Sequence, residues 1–255
     1  RSFTFHNAAT VSRQWEHRRL SALRVLAQDE PPLVVTTPEA LLQRTLPPSL
    51  LLRAVRTLRV GEVHDLNALS EGLTAAGYVR CDQVEGVGQF ALRGGILDLF
   101  SPACETPIRC EFFGDEIDAM GAFAPATQRR TENRPLCDIL PVAEVLPQLA
   151  PGGWAGLTQA MDDLISQVKA DKGDHAALLA TLAQDQERLS QGLSFPAMDR
   201  YLALIYPELA TAADYLPPDA VVCLAESPRV AERARNYLWR MEEDVKTLLE
   251  SGLVA

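Results

Sequence analysis

The run Ile108-Arg109-Cys110-Glu111-Phe112-Phe113 carries the most informative chemistry in this sequence. Side chains alternate across a strand, so Ile108, Cys110 and Phe112 share one face, the natural core face. Arg109, Glu111 and Phe113 share the other. An aromatic beside an arginine is the composition of an interface hot spot. A loop or a neighbouring domain covering Phe113 accounts for the same pattern equally well. Arg93 ends a nearby run just before Gly94-Gly95 and is placed to join the patch.

Other groups with chemical potential read more simply. Glu111, Asp115, Glu116 and Asp118 form an acidic cluster, but Asp115 and Glu116 sit at a hairpin turn, where water solvates charge cheaply. His6, His17, His64 and His175 are far apart, and none stands in an H-E-x-x-H spacing or beside a G-x-S-x-G nucleophile. They read as surface or capping residues. Gly86-Val87-Gly88-Gln89-Phe90-Ala91 fits G-x-G-x-x-A as a string. A dinucleotide fingerprint must open a helix, whose N-terminus holds the pyrophosphate. Here a strand follows, so the string reads as a turn. No G-x-x-x-x-G-K-[ST] loop is present to cradle a nucleoside triphosphate. Cys81, Cys104, Cys110, Cys137 and Cys223 are scattered and contain no C-x-x-C pair. Neither a disulfide framework nor a zinc site is expected, and a reducing cytoplasm fits best.

The elements that must position these residues follow from period and punctuation. Ser12 is placed to cap a helix to about Ala27, with Trp15, Leu20, Leu23 and Leu26 on one buried face, ended by Pro31-Pro32. Leu33-Val34-Val35-Thr36 reads as a buried strand, with a helix from Pro38-Glu39; this is an α/β signature. Asp65 caps a helix bearing Leu66, Leu69 and Leu73, which Gly77 stops. From Tyr78 the period becomes two. Strands are expected at Gln89–Arg93, Ile96–Phe100, Pro107–Phe113 and Glu116–Met120, with tight turns at Gly94-Gly95 and Gly114-Asp115. A loop spans 124–135 and a short strand covers Cys137–Leu140. Residues 55–143 therefore read as a small α+β domain with an antiparallel sheet. After the Pro/Gly-rich stretch 147–153, residues 154–191 read as helical with a break near Gly173. Ala220–Leu224 reads as a strand. Ser227-Pro228 opens a last helix running to about Ser251, with Gly252 as its stop and a length of roughly 36 Å.

Composition limits what these elements do. The 255 residues are 47% hydrophobic and 23% charged, which is globular. With 34 acidic against 24 basic residues the net charge is −10, which opposes a general DNA-coating surface. No apolar run approaches the ~20 residues of a spanning helix, so no membrane association is expected. The first residue is Arg1 rather than Met, and a fragment or processed chain is expected.

Three stretches then resemble a known family. These are Gly88-Gln89-Phe90-Ala91-Leu92-Arg93-Gly94-Gly95-Ile96-Leu97-Asp98-Leu99-Phe100, Pro107 through Asp118, and Thr127-Gln128-Arg129-Arg130. Together they closely resemble the N-terminal part of the transcription-repair coupling factors, and are similar to the second domain of the excision-repair protein UvrB. Weaker likeness extends over Phe195-Pro196-Ala197-Met198-Asp199-Arg200-Tyr201 and Pro207-Glu208-Leu209. The resemblance implies an incomplete, degenerate RecA-like (UvrB-like) scaffold. Residues 1–54 would end its first domain. Residues 55–143 would be an inserted UvrA-interaction domain, and residues 144–255 a helical domain with a returning strand and a long last helix. It implies no catalysis and no cofactor in this stretch, the ATP- and Mg-dependent motor lying further C-terminal, as do contacts to RNA polymerase and DNA. It implies recruitment of UvrA through Arg93, Arg109 and Phe113, with the same surface masked by the C-terminal domain of the full-length protein at rest. UvrB carries further arginines in the first of these strands, where this chain has Phe90 and Leu92. A fragment of a UvrB-type DNA-handling ATPase is the other family reading.

Overall fold

A computed structural model describes residues 13–28, 33–173, 175–195 and 197–250. The expectations placed on His6, Ser12, Pro31-Pro32, Pro196, Ser251 and Gly252 lie outside the described residues. The chain is mixed α and β and divides into two compact units. One contains the first helix and everything from Pro48 to Leu146. The other contains the 33–47 segment and the chain from Pro147 onward.

In the first unit, α1 (Gln14–Leu26) buries Leu20, Leu23 and Leu26 on one stripe. Trp15 is a correction: it lies 65% exposed, with the Arg18 guanidinium 5.1 Å from its ring. One turn before Leu20, it falls outside the packed part of the stripe. After α3 (Pro48–Ala54), β1 (Arg56–Arg59) leads to α4 (Leu66–Ala75), which Asp65 caps by accepting from the amides of Asn67 and Ala68. Leu69 and Leu73 face inward, and Gly77, at φ +90°, ends the helix in the left-handed conformation a side chain disfavours.

A six-stranded sheet follows in simple sequence order. Its strands are β2 (Val79–Arg80), β3 (Gln89–Arg93), β4 (Ile96–Leu99), β5 (Ile108–Phe113), β6 (Glu116–Ala124) and β7 (Arg129–Asn133). Only the short β2 pairs in parallel, with β3. The glycine turns fall where expected, and β3 begins at Gln89, so the glycine-rich string is a turn before a strand. One face of the sheet packs Phe90, Leu97, Leu99, Ile108, Cys110, Ile117, Met120 and Ala122 against Leu69 and Leu73 of α4. Finally β8 (Leu136–Ile139) pairs antiparallel with β1, Arg56 opposite Ile139. The stretch expected as a loop at 124–135 contains β7, every residue of which is exposed.

In the second unit, α5 (Gly153–Ala170) and α6 (Ala176–Ser190) form on either side of the expected break near Gly173, and they pack together. Asp185, buried on α6, accepts from the Tyr201 hydroxyl at 2.7 Å and from Arg200 at 3.2 Å. This holds α6 to the turn that precedes α7 (Leu202–Ile205). The short α2 (Pro38–Leu42), capped by Thr37, contacts α8 (Ser227–Glu250), and Arg233 donates to Glu39 at 3.0 Å. The two strands expected at Leu33–Thr36 and Ala220–Leu224 are not formed. Leu33 is 95% and Val221 89% exposed. A β-branched apolar run becomes a strand only beside another strand, and none among the described residues pairs with either.

Candidate functional site

The second face of the sheet carries the candidate residues. The register sets Ala91 opposite Asp98, Asp98 opposite Arg109, and Arg109 opposite Gly121. Alternation along β4 turns Leu97 and Leu99 to the core and Asp98 away from it. Asp98 is nonetheless fully buried, because two arginines close over it. Arg109 reaches it with two parallel hydrogen bonds, Nε to Oδ1 at 2.7 Å and Nη2 to Oδ2 at 2.8 Å. Arg93 adds Nη2 to Oδ2 at 2.9 Å. Bidentate arginine–carboxylate pairs are among the stronger hydrogen-bonded contacts.

Arg109 is held on three sides. Its Nη1 donates to the Gln128 carbonyl at 3.1 Å, and its guanidinium lies 4.8 Å from the Phe123 ring centre. Gln128 itself adopts φ +57°, uncommon for a residue with a side chain, and its amide group bonds the Pro125 carbonyl at 2.8 Å. The hydrogen bonds that Arg109 donates to Asp98 hold its pKa above its ordinary value. Only 17% of the Arg109 side chain meets solvent, against 47% for Arg93. Beneath this layer Val84, Ala91 and Phe123 form a small second core.

Phe113 ends β5 at the Gly114-Asp115 turn, paired with Glu116 and 84% exposed. Glu111, between it and Arg109 on the same face, ion-pairs with Arg130 at 3.6 Å. Arg130 lies across Gly121, where a β-carbon would come within 2.7 Å of its Nε and 2.4 Å of the Glu132 carbonyl oxygen. The strand alternation therefore holds: Ile108, Cys110 and Phe112 lie on the core face, and Arg109, Glu111 and Phe113 on the other. Phe90 and Leu92 also belong to the core face, which is why they leave this surface unchanged.

Sequence reading missed Asp98, Gln128, Phe123 and Gly121. A signal for Asp98 existed: a carboxylate alternating with leucines in Ile96-Leu97-Asp98-Leu99, one strand from Arg109. Gln128 carried no signal, since its role comes from backbone geometry. The acidic cluster does not converge: Asp115, Glu116 and Asp118 are exposed, and no group of three His, Cys, Asp or Glu among the described residues is arranged to hold a metal ion. His64 pairs with Glu62 at 3.2 Å and His175 with Asp171 at 2.6 Å. His17 is partly buried, with Gly88 beside its ring.

This surface lies within a recognised unit. Residues 57–144 match the UvrB interaction domain. The whole chain is 30% identical over 249 residues to the transcription-repair-coupling factor of Bacillus subtilis (strain 168), covering 96% of this chain and 21% of that protein. It is 31% identical over 226 residues to the factor of Myxococcus xanthus, covering 87% and 18%. It is also 31% identical over 231 residues to that of Mycobacterium tuberculosis (strain CDC 1551 / Oshkosh), covering 86% and 18%. The chain spans about a fifth of the length of the curated relatives it matches.

Proposed function

Related along nearly its whole length to the transcription-repair-coupling factors, the chain is, we propose, a non-catalytic module of DNA repair that recruits UvrA to stalled RNA polymerase in transcription-coupled nucleotide excision repair. The observation that carries this reading is Phe113, an aromatic 84% exposed on the same sheet face as Arg93, within the stretch that matches the UvrB interaction domain. An exposed aromatic beside a guanidinium fits burial in an apolar pocket of a partner, flanked by acceptors for charge-assisted hydrogen bonds. The three residues divide the work. Phe113 and Arg93 make the contact. Arg109, whose Nε, Nη1 and Nη2 all bond internally, holds Asp98 and through it orients Arg93.

Isothermal titration of purified UvrA tests this. Phe113→Ala and Arg93→Ala should each weaken binding at least tenfold, about 1.4 kcal/mol. Phe113→Ala should leave the melting temperature unchanged, whereas Arg93→Ala also removes one of the two partners of the buried Asp98 and should lower it. Undiminished binding by the folded variants overturns the assignment.

The exposed Phe113 also supports masking in a longer chain, where a C-terminal domain would cover this face until a motor engages DNA. The isolated chain should then bind UvrA at least as tightly as a resting full-length protein, and tighter binding by the latter refutes masking. Residues 1–54 and 144–255 would be what remains of a degenerate RecA-like scaffold in a cytoplasmic protein whose ATP-driven motor, with its contacts to RNA polymerase and DNA, would lie elsewhere in a longer chain. A titration with ATP and Mg²⁺ should show no binding. Millimolar or tighter affinity would favour a UvrB-type ATPase fragment instead.

A further inference from the structure

Away from the docking face, two cysteines distant in sequence meet. Cys104 Sγ lies 3.7 Å from Cys137 Sγ. Cys104 stands in the loop after β4 and Cys137 on β8. Their two segments are already fastened together one turn away. The Ser101 hydroxyl oxygen accepts from the Leu140 amide at 3.1 Å and from the Ala103 amide at 3.2 Å, and the Cys104 amide donates to the Ser101 carbonyl at 3.0 Å. Local hydrogen bonds thus hold the two backbone segments side by side. A disulfide needs S–S of ~2.05 Å, so about 1.7 Å of approach separates the thiols from a bond. The pair is also asymmetric. Cys104 is half-buried and reachable from solvent, whereas Cys137 is buried.

We propose that Cys104 and Cys137 form an oxidation site that closes to an intramolecular disulfide in the presence of a hydroperoxide. The Cys104 thiolate attacks the peroxide oxygen. An S–O bond forms and the O–O bond breaks, so that Cys104 is oxidised to the sulfenic acid and the peroxide's other oxygen takes a proton and leaves as water, or as the alcohol from an organic hydroperoxide. The Cys137 sulfur then attacks the Cys104 sulfur. The S–S bond forms, the S–O bond breaks, and the departing hydroxide leaves as water with the Cys137 proton. The hydrogen bond between the thiols lowers the Cys104 pKa, helped by the nearby Arg134 charge, while that bond and burial raise that of Cys137. Cys104 is accordingly the attacking thiolate, since the thiolate is the reactive form, and Cys137 is the resolving group. The closed loop would span residues 104–137, which takes in β5, β6 and β7. Cross-linking such a loop constrains the unfolded chain.

The test treats the 255-residue chain with a stoichiometric excess of hydrogen peroxide, blocks remaining thiols with iodoacetamide, and digests without reduction. Mass spectrometry should find the Cys104 and Cys137 peptides joined and two hydrogens lighter, with Cys223, which is exposed, serving as the alkylated control. Oxidation should raise the melting temperature by several degrees, and dithiothreitol should reverse the rise. In Cys137→Ser, Cys104 should proceed to sulfinic acid. Recovery of over-oxidised Cys104 beside alkylated Cys137 in the native chain would overturn the proposal, as would joining of Cys223 between molecules while Cys104 and Cys137 both remain alkylated.

Discussion

Asp98 governs the candidate site although it touches no solvent. A buried carboxylate survives only when paired, and here two guanidiniums supply the pairing. Asp98→Asn keeps the shape and removes the charge, leaving Arg109 partnered mainly by the Gln128 carbonyl. Thermal unfolding should show a loss of ~3 kcal/mol. In an Arg109→Met background the same change should cost far less, because the two residues act as one unit. Equal losses in both backgrounds would show that Asp98 acts independently of Arg109. At this scale the sequence was legible wherever alternation alone decides exposure, as at Arg109 and Phe113. It was not legible where a buried charge depends on partners from two other strands. Nor did it show that Arg109 spends its hydrogen bonds inside the domain.

The strands succeeded or failed as readings according to where their energy comes from. β3, β4, β5 and the start of β6 alternate apolar and polar side chains, because one face meets a core. β7 reads Arg129-Arg130-Thr131-Glu132-Asn133, with no apolar side and full exposure, the composition of a protected sheet edge. Nothing in its period marks it as a strand; backbone pairing to β6 does. β1 has a single buried residue, Leu58, and was equally silent. The opposite error occurred at 33–36 and 220–224, where local composition favours strands that find no partner among the described residues. The β6–β7 ladder makes a test. Gly121→Ala would drive a β-carbon to 2.4 Å from the Glu132 carbonyl oxygen. A loss of ~1–3 kcal/mol is expected from such overpacking. Chemical denaturation should show it, together with faster amide exchange at Arg130 and Glu132. A neutral outcome would mean that β7 moves away without cost.

The two units of the whole molecule are each discontinuous in sequence, so compactness and chain order do not coincide. The first unit has its own pH dependence. Burial holds the His17 pKa below its usual 6.5. The unfolded chain therefore takes up a proton at a pH where the native chain does not, and stability must fall as pH drops below about 6.5. Melting curves between pH 5 and pH 8 should show this decline, and His17→Gln should flatten it. A decline unchanged in His17→Gln would place its origin in the carboxylates. The β1–β8 ladder bears on the same unit. It sets the entrance of the 57–144 domain beside its exit, so the segment from 55 to 143 should fold cooperatively when expressed alone. Dispersed amide signals in solution would confirm this.

That adjacency also has a mechanical meaning. A tension drawn through the chain reaches this domain at Arg56 and leaves at Ile139, two residues that are paired with each other. Force applied there opens the short ladder from its end, one pairing after another, instead of shearing all of them together. The two tethers would peel apart before the six-stranded sheet carried any strain. A pull along the polypeptide would therefore loosen the neck of the domain while leaving intact the face that bears Arg93 and Phe113.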